Sequence, residues 1–324
     1  MMKKLSRAVI YTVAITVLMM GCTRNGAAQR RALTIIAPAA PGGGWDQTSR
    51  NIQQVLQRGR LVRTAKVLNI PGAGGTIGLA QFVDTYDKNP DVLMTMGLIM
   101  VGAVLTNKSV VKLDRVTPVA RLTGEFEVLV VPAASPYKNL KSFIAAWKED
   151  PGSFAIAGGS AGGTDHMLAG LLAKEAGIDV SKVNYIPHSG GGESIASIVG
   201  GHVRAGINGL GELVSFIRAG QMRALAISSE KRVAGVDIPT FMEQGVDLSL
   251  ANWRGVVAAP GITVPQRAEL SKLVADMHES AGWKDVLKKN NWIDMYLSGQ
   301  EFDAYLKTED KRAAEVLRSI GLVQ

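Results

Sequence analysis

Apolar residues come in two alternating rhythms along this chain. Short runs at 33–37, 66–70 and 92–96 have the length of buried strands, whereas 46–56 and 76–86 repeat apolar positions every three or four residues, as at Ile52, Val55 and Leu56. The first is the signature of a strand and the second of a helix with one buried face. Strand, helix, strand in this order predicts parallel strands joined by crossover helices. Asp46 and Thr76 stand near the starts of two of these helices, each expected to cap it by accepting an orphan amide.

A very apolar run at 128–131 ends at Pro132 and opens a second set of units. These are a helix at 139–148, a strand at 154–157, a helix at 164–176, a strand at 183–186, a helix at 193–199, a strand at 203–207, a helix at 212–219 and a strand at 223–228. The chain turns extended again at 255–259, before Pro260 and Gly261, and finishes with helices at 265–280 and 300–320. Leu270, Leu273, Val274 and Met277 mark the buried stripe of the first of these. A self-contained αβ block between two extended runs predicts one crossing to a second lobe and one crossing back. The expected fold is therefore α/β and two-lobed, with parallel-rich sheets and helices on both faces. Lobe 1 is 32–131 with 256–324, and lobe 2 is 132–255.

The first residues do not belong to that fold. Lys3, Lys4 and Arg7 precede a stretch, 8–20, that is apolar apart from Tyr11, Thr12 and Thr16. It is short for a bilayer span and right for an export signal, so 1–21 reads as a signal peptide. Leu18-Met19-Met20-Gly21-Cys22 resembles a bacterial lipobox, with Met19 where such sequences prefer Leu. The resemblance implies lipidation at Cys22 and an exported protein, in the periplasm or on the outer face of the cell membrane. Residues 22–31, with Arg24, Asn25, Gly26, Arg30 and Arg31, read as a tether. Cys22 is the only cysteine, so the mature chain forms no internal disulfide and depends on core burial.

Composition narrows the partners. The 324 residues, 47% of them hydrophobic, suffice for one large core or two modest ones. The net charge of +8 falls to +5 without the three basic residues of the signal, and it is spread thinly. There is no basic stripe with interleaved aromatics, which argues against nucleic acid. His166, His188, His202 and His278 show no paired ligand spacing, so no metal site is expected.

The chemistry lies in the glycines. Pro38-Ala39-Ala40-Pro41-Gly42-Gly43-Gly44-Trp45-Asp46 follows one strand and opens a helix, and Asn69-Ile70-Pro71-Gly72-Ala73-Gly74-Gly75-Thr76-Ile77-Gly78 repeats the plan. Backbone amides gathered at a helix start, beside glycines that admit a ligand closely, bind an anion without any charged side chain. Two further turns of this kind, 157–166 and 187–194, come from the second lobe. In parallel sheets such turns gather beyond the carboxyl ends of the strands, where ligands lie.

Three enzyme signatures come near. Gly72-Ala73-Gly74 begins like a dinucleotide fingerprint, but the third glycine falls at Gly78 where the motif needs it at Ile77. No Gly-Lys-Ser/Thr of a phosphate loop occurs. Gly158-Gly159-Ser160-Ala161-Gly162 does satisfy the nucleophile-elbow pattern, which makes an exported serine hydrolase using Ser160 the alternative reading, with His188, His202 or His278 as base. Trp45 and Trp253 are each suited to a pocket wall or to a core, and Arg254 to a ligand carboxylate or to an acid that links the lobes.

Taken in order, 41–46, 69–78, 160–166, Ile238-Pro239-Thr240 with Glu243 and Gly245, and Trp253-Arg254-Gly255 resemble the Bug type of extracytoplasmic solute receptor, the substrate-binding component of tripartite tricarboxylate transporters. The resemblance runs from Leu33 to the end. It implies a flytrap fold and a receptor, not an enzyme, without cofactor or metal. Its function would be to capture a small tricarboxylate or dicarboxylate such as citrate and deliver it, as a monomer, to integral-membrane subunits. By the same resemblance the ligand contacts fall on Ala40, Gly43, Gly44, Trp45 and Asp46 in the first turn, and on Gly74, Gly75 and Thr76 in the second. Ser160, Gly163, Thr164, Gly191, Asn208 and Trp253 supply the closing side. The family often carries an acid where this chain has Arg204, and its Tyr-Lys-Gly reads Tyr185-Ile186-Pro187 here. Gly42 to Asp46 and Asn252 to Gly255 lean toward the tricarboxylate-binding branch.

Overall fold

The computed structural model describes residues 31–324; the expected signal peptide, Cys22 and the expected tether as far as residue 30 lie outside the described residues. The first half alternates as expected: β1 (Ala32–Ala37), α1 (Gly44–Arg58), β2 (Thr64–Asn69), α2 (Thr76–Thr85), β3 (Val92–Gly97). It continues into α3 (Leu98–Thr106), a helix the pattern does not predict, because it is apolar on nearly every side and six of its nine residues are buried.

β4 (Thr117–Pro132) is sixteen residues long, where only 128–131 is expected. Its first part carries Arg121, Thr123, Glu125 and Glu127, polar residues that read as surface in a sequence; Thr123, Glu125 and Glu127 are in fact buried. The second block supplies α4 (Leu140–Glu149), β5 (Ile156–Gly158), α5 (Thr164–Glu175), β6 (Tyr185–Pro187), α6 (Gly191–Val199), β7 (Ala205–Gly209), α7 (Leu210–Arg218) and β8 (Met222–Ile227). The chain ends with β9 (Ala251–Ala258), α8 (Val264–His278), α9 (Ala281–Asn290), β10 (Ile293–Leu297) and α10 (Gly299–Ser319).

The strands run in the order β2-β1-β3-β9-β4-β7-β5-β6, with β8 and β10 also paired to β4. β1 pairs in parallel with β2 and β3, and β5 in parallel with β6 and β7, so the expected parallel ladders form the outer part of each half. The middle is antiparallel, because one strand must enter the second half and another return. β4 pairs with β9 between Thr117 and Phe126, then with β7 and β8 from Glu127 to Pro132. A single strand thus passes through both halves, and β9 runs back beside it.

Helices cover both faces. Val119 and Leu122 of β4 pack with Leu33, Ile35 and Trp283, while Val128 and Val130 pack with Ile198 and Leu213. Leu129 and Val131 join a cluster with Phe143, Trp147 and Phe302 that is common to the two halves. Each such fully buried aliphatic or aromatic side chain contributes about 1.5–3 kcal/mol. α10 lies on β4 and α3, and at its far end Ile320 fills the space, 2.8 Å away, that a side chain at Gly170 of α5 would need.

A glycine-capped cavity between the halves

Helix caps divide this molecule into two sets. α4, α8 and α9 carry side-chain caps at Asn139, Thr263 and Ser280, and Glu301 of α10 reaches back to the Ser298 amide. α1, α2, α3, α5, α6 and α7 instead follow Gly43, Gly75, Gly97, Gly163, Gly190 and Gly209, and none of the six has a side-chain cap. These six helices share one feature. Gly43, Gly75, Ile99, Asp165, Gly190 and Gly209, each at or within two residues of a cap, line a single cavity of about 550 Å³. Amides that a Ser or Asp would otherwise occupy are left for what enters, and each helix start adds roughly half a positive charge.

The turns are braced from behind in a recurring way. The Gly42 amide donates to Asp46 Oδ2 (2.8 Å), Gly162 to His166 Nδ1 (3.1 Å) and Ser189 to Glu193 Oε2 (3.0 Å), always four residues on. Asp46 also accepts from Arg50 Nε (2.8 Å) and from Asn69 Nδ2 (2.8 Å), so it ties the first turn to the strand that leads into the second. Burial pushes the Asp46 carboxyl up, but the bonds from Arg50, Gly42 and Asn69 outweigh it, and the group sits below the usual carboxylate range. Neither expected cap forms as such. Gly43 and Gly75 hold the cap positions, and the Thr76 hydroxyl donates to the Ala73 carbonyl (2.9 Å).

The candidate residues fall into two groups. Ala40, Gly43, Gly44, Trp45, Gly74, Gly75, Ser160, Gly191 and Asn208 line the cavity. Trp45 lies over the second turn, and a Cβ on Gly75, whose φ is +88°, would stand 2.6 Å from its ring. Asp46, Thr76, Gly163, Thr164 and Trp253 stand behind the wall. Gly163 donates to the Ser160 carbonyl (2.9 Å), and Thr164 is wholly buried. Trp253 packs edge-on against Phe302 and Tyr305, and its Nε1 donates to Glu309 Oε1 (3.0 Å), which makes it a core residue.

Opposite the first turn is a cluster that sequence reading does not assemble. Arg254 and Asn252 from β9, Asp165 from α5 and Glu212 from α7 line the cavity, with Glu125 and Glu127 of β4 beside them. Arg254 pairs with Glu125, and its guanidinium abuts the Cα of Gly44. Burial, then Asp165, Glu125 and Glu212, pushes Glu127 far above the usual carboxylate range. Burial raises Glu212 to about 8 and Asp165 to about 6, the latter against the pull of the Gly159 amide, which donates to it at 2.6 Å. Glu127, fully buried, has no hydrogen-bond partner while ionised among the described residues; protonated, it has the neighbouring Asp165 as acceptor. Trp45 Nε1, Asn252 Oδ1 and Arg254 Nε, all on wall residues at least nine-tenths buried, also lack partners among the described residues.

Residues 48–322 match the model of the tripartite tricarboxylate transporter family receptor. The chain belongs to this family. It is 27% identical to the protein BugT of Bordetella pertussis over 296 residues, covering 90% of each chain. Among solved structures it resembles the periplasmic binding protein BugD, at 20% identity and a TM-score of 0.81 over 90% of this chain and 98% of that one. It also resembles MatC from Rhodopseudomonas palustris with bound malate, at 24% identity and a TM-score of 0.79 over 89% and 99%. The two-lobed fold is thus that of the periplasmic binding proteins. No helix among the described residues is long and apolar enough to cross a membrane.

In this receptor family member Ser160 lies on the cavity wall, yet no histidine serves it. His188 Nε2 bonds Ser197 Oγ (2.8 Å) and its Nδ1 faces the Gly158 and Ile186 carbonyls, while His278 is held by Asp294 (2.9 Å) at the start of β10. His202 packs beside Gly200. His166, stacked on Tyr185, is driven down to about 4 by burial and accepts the Gly162 amide. No three of the His, Cys, Asp and Glu side chains among the described residues could hold a metal ion.

Proposed function

We propose that this receptor captures a small di- or tricarboxylate, such as citrate, and hands it to integral-membrane subunits of a tripartite tricarboxylate transporter. The observation that carries the reading is the cavity wall, on which the capping glycines of four helices, Gly43, Gly75, Gly190 and Gly209, lie, with Arg254 Nε beside them lacking a partner among the described residues. Four charge-assisted amide bonds at about 1.5–3 kcal/mol each would supply about 6–12 kcal/mol against an association cost of about 4–15, with lobe closure adding apolar burial, which fits micromolar capture. The malate bound to MatC is a ligand of this class.

The mature protein on this reading is a monomer exported by the signal at 1–21, lipidated at Cys22 and held by the tether 22–31 in the periplasm or on the outer face of the membrane. Its lobes, 32–131 with 256–324 and 132–255, close about β4 and β9. No catalytic group, cofactor, metal or nucleic acid takes part.

A thermal-shift screen of citrate, malate, succinate, aspartate and nicotinate tests the proposal, since a ligand that binds only the folded state raises its melting point. At least one di- or tricarboxylate should do so by several degrees. A screen in which none does, on protein refolded to remove any copurified acid, overturns it. Covalent labelling of Ser160 by a fluorophosphonate, lost with esterase turnover in Ser160→Ala, would establish the hydrolase instead.

A further inference from the structure

A site for an organic dianion that is walled by acids needs its charge accounted for. With every group ionised, Glu125, Glu127, Asp165 and Glu212 set four negative charges against the single guanidinium of Arg254, which is already committed to Glu125. That leaves three uncompensated negative charges in a wall where charge is costly to bury. No three of these acids are placed together to share a metal ion among the described residues. Protons are the remaining counter-charge.

Glu212 is the member of this cluster that a ligand would meet. It lies in the first turn of α7, half-buried and on the cavity wall, with its carboxylate oxygens 2.6 and 2.9 Å from where a Cβ on Gly191 would be. It feels Glu125 and Glu127 from β4, Arg254 from β9 and Asp165 from α5, and shares the cavity wall with Glu193 of α6 and with His188 from the turn before it. Glu127 and Asp165 can share a proton, whereas Glu212 accepts the Gly209 amide and faces a Glu125 already paired with Arg254.

We propose that Glu212 serves as a neutral carboxylic acid that donates its hydrogen bond to a second carboxylate of the ligand, so that a dianion is captured together with a proton held by the protein. The glycine-capped helix starts grip one carboxylate, and the protonated Glu212 marks the place of the other. No bond to carbon forms or breaks: the proton stays on Glu212 below its folded pKa and is drawn from solvent above it. A protonated Glu212 presents a donor, as the surrounding amides do. Burial and the ionised Glu125 already hold this carboxyl at about 8 without ligand, and a ligand carboxylate beside it would raise it further.

This inference rests on the carboxylate-receptor reading, and binding titrations of citrate, malate and succinate between pH 6.5 and 9.5 separate the two. These ligands are fully ionised across most of that range, so the pH dependence reports the protein. Affinity should be flat below pH 8 and fall about tenfold per pH unit above it. Calorimetry of the unaltered protein at pH 8.5, in buffers of different ionisation enthalpy, should show uptake of about half a proton or more per ligand bound. Glu212→Gln, which keeps a donor and cannot titrate, should bind within a few-fold at pH 7 and lose the decline at high pH. Glu212→Ala should bind at least about tenfold more weakly than the parent at pH 7 and likewise lose the decline at high pH. Carboxylate binding that is flat to pH 9.5 without proton uptake overturns the role of Glu212 and leaves the receptor standing. Release of a proton, with aspartate preferred over succinate, overturns it in favour of a ligand amine. If no acid binds at any pH, the receptor reading fails and this inference with it.

Discussion

Asn69 donates to Asp46 across 2.8 Å, and that bond joins the two glycine turns that the first half presents to the cavity. Asp46 sits 2% exposed, Asn69 closes β2, and the same carboxylate receives the Gly42 amide. The first turn is therefore braced by a buried residue that does not itself line the cavity.

Replacing Asp46 should cost both stability and affinity. Asp46→Ala takes the side-chain acceptor from the part-buried Gly42 amide and one acceptor each from Arg50 and Asn69, which keeps its bond to the Ala39 carbonyl, at about 1–2 kcal/mol by urea denaturation. Ligand affinity should fall at least several-fold because the turn loosens. The sign with pH follows from the lowered pKa: the carboxylate's contribution is complete above its unfolded value near 4 and is lost as pH falls through the folded value. The stability gap between parent and variant should accordingly shrink as pH falls below about 4. A gap that stays constant to pH 2 would mean that the ionised form does not matter.

Gly75 is held to glycine by conformation and by contact together. At φ +88° an L side chain is strained by about 1–2 kcal/mol, and its Cβ would press on Trp45 and on Met100, 2.9 Å away. Gly75→Ala should destabilise the protein by about 2–4 kcal/mol and weaken ligand binding by at least tenfold, since Trp45 cannot keep its place over the turn. Gly152 is the control, with a negative φ and open space for 4 Å around the point where a Cβ would stand: Gly152→Ala should change neither quantity.

How far the sequence discloses this site depends on the kind of signal involved. The turns at 42–44, 73–75, 158–163 and 190–192 are legible because glycine is written in the chain and its consequences are local. Gly97 and Gly209 escape notice, since Gly97 ends its strand as a single glycine and Gly209 stands apart from Gly206 and Gly211 with no run of adjacent glycines. α3 is hidden for a different reason: with no polar face it has no period to detect. The acids are the least legible. Glu125, Glu127, Asp165 and Glu212 come from three elements and resemble solvated charges until β4, α5 and α7 are packed together. Trp253 shows the converse, since adjacency to Arg254 suggests a pocket while its side chain points into the core.

The two tryptophans should separate cleanly by experiment. Trp253→Phe removes the bond to Glu309 and a ring's worth of packing from beneath Phe302 and Tyr305, so the melting temperature should drop, by about 1–3 kcal/mol in stability, while the dissociation constant for a bound carboxylate stays within about two-fold. Trp45→Phe should act the other way round, with affinity reduced and ligand-dependent fluorescence lost. If Trp253→Phe abolishes binding in a fully folded protein, its assignment to the core is wrong.

The buried acids also predict how the empty receptor responds to rising pH. Glu127, Glu212 and Asp165 have folded pKa values raised above their unfolded ones, so over the interval between the two values the folded state holds protons that the unfolded chain has released. Stability from such groups is fully present below the unfolded pKa, is lost as pH rises to the folded value, and changes no further above it. For Asp165 that window runs from about 4 to about 6, and for Glu212 from about 4.5 to about 8. Unfolding free energy should thus decline between pH 6 and pH 8, with Glu212 alone costing up to about 1.4 kcal/mol per pH unit, whereas a protein of ordinary surface acids would be level there. Below pH 6 Asp165 steepens the decline. Glu212→Gln should remove the Glu212 share of the slope between pH 6 and 8 and leave that of Asp165 in place. Denaturant titrations at half-unit pH steps measure both. A parent curve that is level from pH 5 to 8 would mean that these three carboxyls are ionised in the folded protein, with water or an ion supplying the compensation that protons are held to provide.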